Sequence, residues 1–284
     1  MRSIILLSAL VCVFFTAHSQ DGALIGANGG FMVPHREEIR GLVTKHSVGA
    51  TAQLMWHSDG SKPWHVFYNR PVWGVGMYYA DLGNKQLGQQ VGLSLFMNRT
   101  AFTKGRLSYT WHYGIGVGYS DATWDLETNT KGITLGSHFN ALLEVGGQMG
   151  LRLGESFAIH GGWRITHLSN GAVQVPNLGT NNLYLQVGCA YWWRKPEVIE
   201  NKPNIPAVRG ISWQIGTSIG LHQNQPPGSK VFAVQTLFGE ASYRFSYPSA
   251  IIGGIDIFNN PSIVPLQRKP DPSEAGQFQL GLAV

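Results

Sequence analysis

From Asp21 onward, apolar and polar side chains alternate with a period of two through about twelve segments of roughly 9–14 residues, and a helical period is almost absent. In 106–119, one face carries Leu107, Tyr109, Trp111, Tyr113, Ile115, Val117 and Tyr119, and the other carries Arg106, Ser108, Thr110, His112 and glycines. The same pattern sets Phe139, Ala141, Leu143 and Val145 against His138, Asn140, Glu144 and Gln148. It sets Phe157, Ile159, Trp163 and Ile165 against His160, Arg164 and Thr166, and Leu183, Leu185, Val187 and Cys189 against Asn182, Tyr184 and Gln186.

A soluble sandwich also alternates, but its strands run about 5–6 residues and its polar face carries Lys and Glu. Here the segments are about twice that length, and the polar face is Gly, Ser, Thr, Gln and His. Such a face suits a crowded, wet barrel interior, while the aromatic-rich apolar face suits lipid. Strands of this length cross a bilayer when tilted, and closure removes edges that lipid cannot satisfy. The fold class expected is all-β, an antiparallel transmembrane outer-membrane β-barrel of about 8–12 strands.

Segmentation follows from the same pattern. Residues 1–20 have a basic start at Arg2, an apolar run from Ile4 to Phe15 and a small or polar end, which reads as a cleaved signal peptide. Residues 21–194 hold eight strands. A Pro-rich connector at 195–210 follows, and then 211–284 carry four more strands, near 211–222, 230–246, 250–258 and 274–284. These either join the same barrel or extend it. The chain ends Gly281-Leu282-Ala283-Val284 without the aromatic of a finished barrel strand, which reads as a strand that stops short. With the mature N-terminus in the periplasm, 34–46, 81–87, 120–136 and 170–180 form the upper connections. Residues 99–105 and 152–155 are then short lower ones, 58–71 a long lower one, and Tyr191, Trp192, Trp193 and Trp56 interfacial anchors.

Composition narrows the classes further. Charged residues are only 13% of the chain, against about 25% in a typical soluble domain. A mean hydropathy of −0.05 excludes a bundle of membrane helices. Loss of Arg2 with the signal leaves 20 of the 21 basic residues against 16 acidic, too even a balance for nucleic acid. Cys12 leaves with the same segment, so Cys189 becomes the sole thiol and no internal disulfide forms. The ten histidines show no metal-binding spacing, and no metal or organic cofactor is expected.

One segment carries candidate chemistry. In Trp163-Arg-Ile-Thr-His167-Leu-Ser169-Asn170-Gly-Ala-Val-Gln-Val-Pro176-Asn177-Leu-Gly179-Thr-Asn181, His167 and Ser169 lie two apart on a strand and so share its outward face. A polar pair on a lipid-facing stripe needs a use. A serine becomes a nucleophile when an imidazole takes its proton and a third group fixes the imidazole's tautomer. The string His-x-Ser-Asn-Gly-Ala with Pro-Asn-x-Gly resembles the signature of the lipid A 3-O-deacylase family, outer-membrane barrels also grouped with acyloxyacyl hydrolases. The resemblance is specific over 164–181, consistent in strand number over about 22–194, and does not reach 195–284.

What the resemblance implies is a serine esterase that removes an ester-linked acyl chain from lipid A. Ser169 would be the nucleophile, His167 the general base and then acid, and Asn170 an oxyanion donor. The family's Glu, twelve residues after the Ser, is here Asn181. Its strand parity places it beside His167, where an amide oxygen can hold the tautomer but supplies no charge for the imidazolium. Glu144 points into the lumen by parity, whereas Asp121, Asp125 and Glu127 sit on a loop that could fold over. Phe157, Trp163 and Leu183 would line the acyl chain. The implied partners are lipopolysaccharide and the bacterial outer membrane, with pairing of two copies left open. The rival reading is a non-catalytic barrel (structural, adhesin or pore) with a degenerate triad.

Overall fold

The computed structural model describes residues 21–194, 209–246, 249–263 and 278–283. The signal peptide expected at 1–20 and most of the connector expected at 195–210 lie outside the described residues. Eight strands close a barrel in sequence order: β1 (Gly22–Met32), β2 (Ser47–His57), β3 (Val72–Asp81), β4 (Gln89–Lys104), β5 (Leu107–Ser120), β6 (Phe139–Arg152), β7 (Phe157–Ser169) and β8 (Thr180–Trp192). β1 pairs antiparallel with β8, Gly22 opposite Trp192 and Met32 opposite Asn182, so no edge remains in the barrel.

Period-two alternation becomes an inside-out amphipathicity. Outward Ile115 and Leu185 are 64% and 71% exposed, whereas inward Gln90, Thr166 and Asn182 are 0–1% exposed. A water-facing barrel would bury the first pair and expose the second; this wall is built for hydrocarbon. The fold is a closed, eight-stranded antiparallel β-barrel with an apolar outer wall.

Polar and apolar layers fill the interior, Leu24, Met55, Phe96 and Ala190 forming one of them. Midway down, Glu144 accepts a hydrogen bond from Ser94 Oγ at 2.5 Å, and Arg164 Nη1 lies 3.4 Å from the other carboxylate oxygen. Above them Tyr78, Tyr184, Leu142 and Leu168 pack with Ile39, Leu42, Leu82, Leu87 and Leu135 from the long connections, capping the lumen. A cavity of about 340 Å³ remains at the turn end, lined by residues including His57, His160 and Trp192.

Two local readings change and a third, the long connection, gains internal structure. The connection expected at 99–105 is strand: β4 and β5 stay paired through a bulge at Thr100/Phe102, Phe102 stacks on Tyr109, and the chain turns only at Gly105. The long connection 58–71 is ordered by a helical turn at Pro63–Phe67, with His65 Nδ1 2.9 Å from Asp59 Oδ1. Trp192 is no exterior anchor, because its parity turns it inward against the His57 ring at 4.0 Å.

The remaining strands do not enter the barrel. β9 (Gly210–Gln223), β10 (Val231–Arg244), β11 (Ala250–Asn259) and β12 (Phe278–Ala283) form a separate four-stranded antiparallel sheet. It meets the barrel at the end that carries the long connections, where Gln223 N donates to Ala172 O at 2.7 Å.

Candidate active site

The β7–β8 hairpin pairs His167 with Asn181, and Ser169 stands two residues farther along β7 at the mouth of the connection. His167 and Ser169 share the outer face, with backbones about 6.7 Å apart by strand rise. Both are half-buried at the end carrying the long connections. His167 Nδ1 lies 2.6 Å from Asn181 Oδ1. A carboxamide oxygen only accepts, so Nδ1 carries the proton and Nε2 presents its lone pair.

Ser169 is fixed from the other side. Asn177 Nδ2 donates to its Oγ at 2.8 Å, and the backbone N–H of Gly171 donates at 3.2 Å. The hydrogen bonds among the described residues include none between Ser169 and His167. With both contacts arriving as donors, the hydroxyl proton stays free to be given away.

The connection 170–179 is shaped by its own amides. Asn170 Nδ2 donates to Ser137 Oγ at 2.7 Å and to Gln174 O at 2.9 Å, which occupies both of its protons. Its backbone N–H goes to Asn177 Oδ1 at 3.2 Å. To donate to an oxyanion, the Asn170 carboxamide must exchange one of these bonds. Gly179, at φ +75°, leaves room for the histidine: a Cβ there would lie 3.0 Å from the His167 ring. The Pro-Asn-x-Gly string thus has a physical reading, Asn177 orienting the serine and Gly179 clearing the imidazole.

Two contributors come from segments that the motif does not contain. His35, just past β1, joins Asn181 Nδ2 at 2.9 Å through its Nδ1 and Leu178 O at 2.8 Å through its Nε2. Gln223, at the end of β9, accepts the Val175 N–H at 2.8 Å and is itself anchored by donating to Ser229 O at 2.7 Å. Neither was reachable from local spacing.

The carboxylates considered as substitutes for the family's Glu lie elsewhere. Glu144 faces the lumen, as its parity required. Asp121 caps Gln89 N at 2.6 Å. Asp125 takes bonds from the Thr128 hydroxyl and backbone and from Glu127 N, which hold its carboxyl below the usual range and commit it to its own turn. Both aspartates line a separate polar cleft of about 630 Å³ with Lys85, Lys131 and His138.

Below the pair, the outer wall continues as Leu183 and Ile165, opposite each other, and then Trp163 opposite Leu185. An acyl chain in one leaflet descends about 15 Å, half of the hydrocarbon thickness. With the strand tilted near 45°, six residues descend about 14 Å, so Leu183 and Trp163 fall within that reach. Phe157 does not: it lies twelve residues from Ser169, about 40 Å along the strand, at the opposite end of the barrel.

The family model of lipid A 3-O-deacylase (PagL) matches residues 49–190. Among solved structures, the chain is similar to the crystal structure of Neisserial surface protein A (NspA), at 9% identity and TM-score 0.42 over 61% of this chain and 96% of that one. It is also similar to the crystal structure of the outer membrane enzyme PagL, at 19% identity and TM-score 0.39 over 58% of this chain and 97% of that one. No curated protein sequence matches it significantly.

Proposed function

This chain belongs to the lipid A 3-O-deacylase (PagL) family, and we propose that it is an outer-membrane serine esterase removing an ester-linked acyl chain from lipid A. The observation that carries the reading is the 2.6 Å hydrogen bond from His167 to Asn181 on the lipid-facing wall. It puts an oriented imidazole two residues from a serine, at the edge of the hydrocarbon region, where the ester bonds of a glycolipid lie. The end with the long connections then faces outward, as in barrels of this type.

In this reading, His167 Nε2 takes the Ser169 proton as Oγ attacks the ester carbonyl. The developing oxyanion is met by the Gly171 N–H, which turns from Ser169 Oγ, and by Asn170, which gives up its bond to Ser137. His167 then gives that proton to the departing sugar oxygen, which leaves as a hydroxyl, and water releases the acyl group from Ser169 by the reverse proton transfers. Leu183, Ile165 and Trp163 support the chain being cut. Asn181 orients the imidazole without compensating its charge, so turnover is slower than with a carboxylate.

The test is lipid mass spectrometry of a bacterial host expressing the wild type or Ser169→Ala. Loss of one hydroxyacyl chain with the wild type only is the expected result. Identical lipid A in both strains would overturn the esterase and favour a non-catalytic barrel.

A further inference from the structure

The carboxamide of Asn181 sets a problem that a carboxylate does not. Both oxygens of a carboxylate accept, so a Glu serves the imidazole whichever way it turns. A carboxamide has one accepting and one donating end. Turned by half a rotation, Asn181 would donate to His167 Nδ1, drive the ring proton to Nε2 and leave Ser169 without a base. In a serine triad the wrong tautomer costs about 10⁴ in kcat.

His35 resolves the ambiguity. The Val33 N–H donates to Asn181 O at 2.7 Å, carrying the β1–β8 pairing one step past Met32 and bringing His35 over Asn181. Leu178 O can only accept, so His35 bears its proton on Nε2, 2.8 Å away. Its Nδ1 is then a lone pair that accepts the Asn181 Nδ2 proton at 2.9 Å. With Nδ2 so engaged, Oδ1 faces His167. Each bond in this chain has one allowed direction, and its end is a lone pair on His167 Nε2.

We propose that His35 is a positioning residue of the hydrolase site, locking the Asn181 carboxamide so that His167 holds the tautomer able to deprotonate Ser169. The proposal rests on the reading of His167 and Ser169 given above. It also implies that the His35 and Asn181 positions are energetically coupled, because a carboxylate at 181 needs no orienting partner.

The experiment uses the full chain, folded in detergent micelles, with lipid A as substrate and ¹⁵N-histidine NMR as a readout independent of turnover. His35→Leu should lower kcat about tenfold or more with KM nearly unchanged, and shift the His167 proton from Nδ1 toward Nε2. His35→Gln, whose side-chain oxygen can accept from Asn181 while its nitrogen donates to Leu178 O, should restore both. In an Asn181→Glu background, His35→Leu should change kcat by no more than about twofold. An unchanged tautomer and rate in His35→Leu would overturn the proposal and leave the esterase standing. A tautomer shift on His35→Leu, in a protein whose wild type releases no acyl chain, would leave the orienting contact standing and remove the esterase.

Discussion

Asn177 holds Ser169 and Asn170 together: its carboxamide nitrogen donates to Ser169 Oγ at 2.8 Å while its oxygen accepts the Asn170 N–H at 3.2 Å. One side chain thus sets the nucleophile and the residue beside it. Asn177→Ala removes both bonds and frees the serine rotor. The expected outcome is a fall in kcat of about 10- to 100-fold with the barrel intact, the range for lost positioning in a hydrolase site. Steady-state kinetics on lipid A, with heat-dependent gel mobility reporting the fold, checks it.

Asn181→Glu should raise kcat, because a carboxylate accepts the same Nδ1–H and also stabilises the imidazolium formed when Ser169 loses its proton. Asn181→Leu should abolish turnover. A Glu variant no faster than wild type would show that the charge is not what limits the rate.

Gly179→Ala tests the space over the imidazole. The added methyl meets a left-handed backbone and a ring carbon at 3.0 Å. Such a strained position costs about 1 kcal/mol or more, and the ring or the loop must move. Activity should fall much more than thermal stability, a difference that paired kinetic and melting measurements resolve.

Gln223→Ala removes the side-chain acceptor for the Val175 N–H, while the backbone bond from Gln223 N to Ala172 O stays in place. Hydrogen exchange at Val175 should accelerate, and kcat should drop about 3- to 10-fold, from a loosened loop with its chemical groups unchanged. Equal exchange in both proteins would show that the Gln223 side chain does not brace the site.

In the lumen, Arg164→Leu strands the Glu144 carboxylate without its nearest cation. Removing one partner of a buried pair costs about 3–5 kcal/mol, whereas replacing both residues by apolar ones should recover most of the loss. Chemical denaturation of the two variants in micelles separates these outcomes.

The sequence carried the barrel more fully than the site. Strand faces were legible because a period of two leaves no choice about which side chains share a face, and the inward Glu144 and outward His167 followed from parity alone. The meeting of His167 and Asn181 was also legible, since a hairpin fixes its own register. Polar character misled at 99–104, which reads as part of a connection but continues β4, and aromatic clustering misled at Trp192, whose parity turns it inside. His35 was invisible because only closure of β1 onto β8 brings it 146 residues across the chain to Asn181. Gln223 was invisible because it belongs to a sheet whose placement no local pattern encodes. Asn170 illustrates a third limit: adjacency to a serine does not say where two amide protons will go.

The packing of Tyr78 and Tyr184 against Leu142, Leu168 and the folded-back connections has a consequence beyond chemistry at the wall. The bore is stoppered at one end and bridged by a charged pair below, so water entering the opposite vestibule finds no way through. Reconstituted in a planar bilayer, the protein should be electrically silent under an applied voltage.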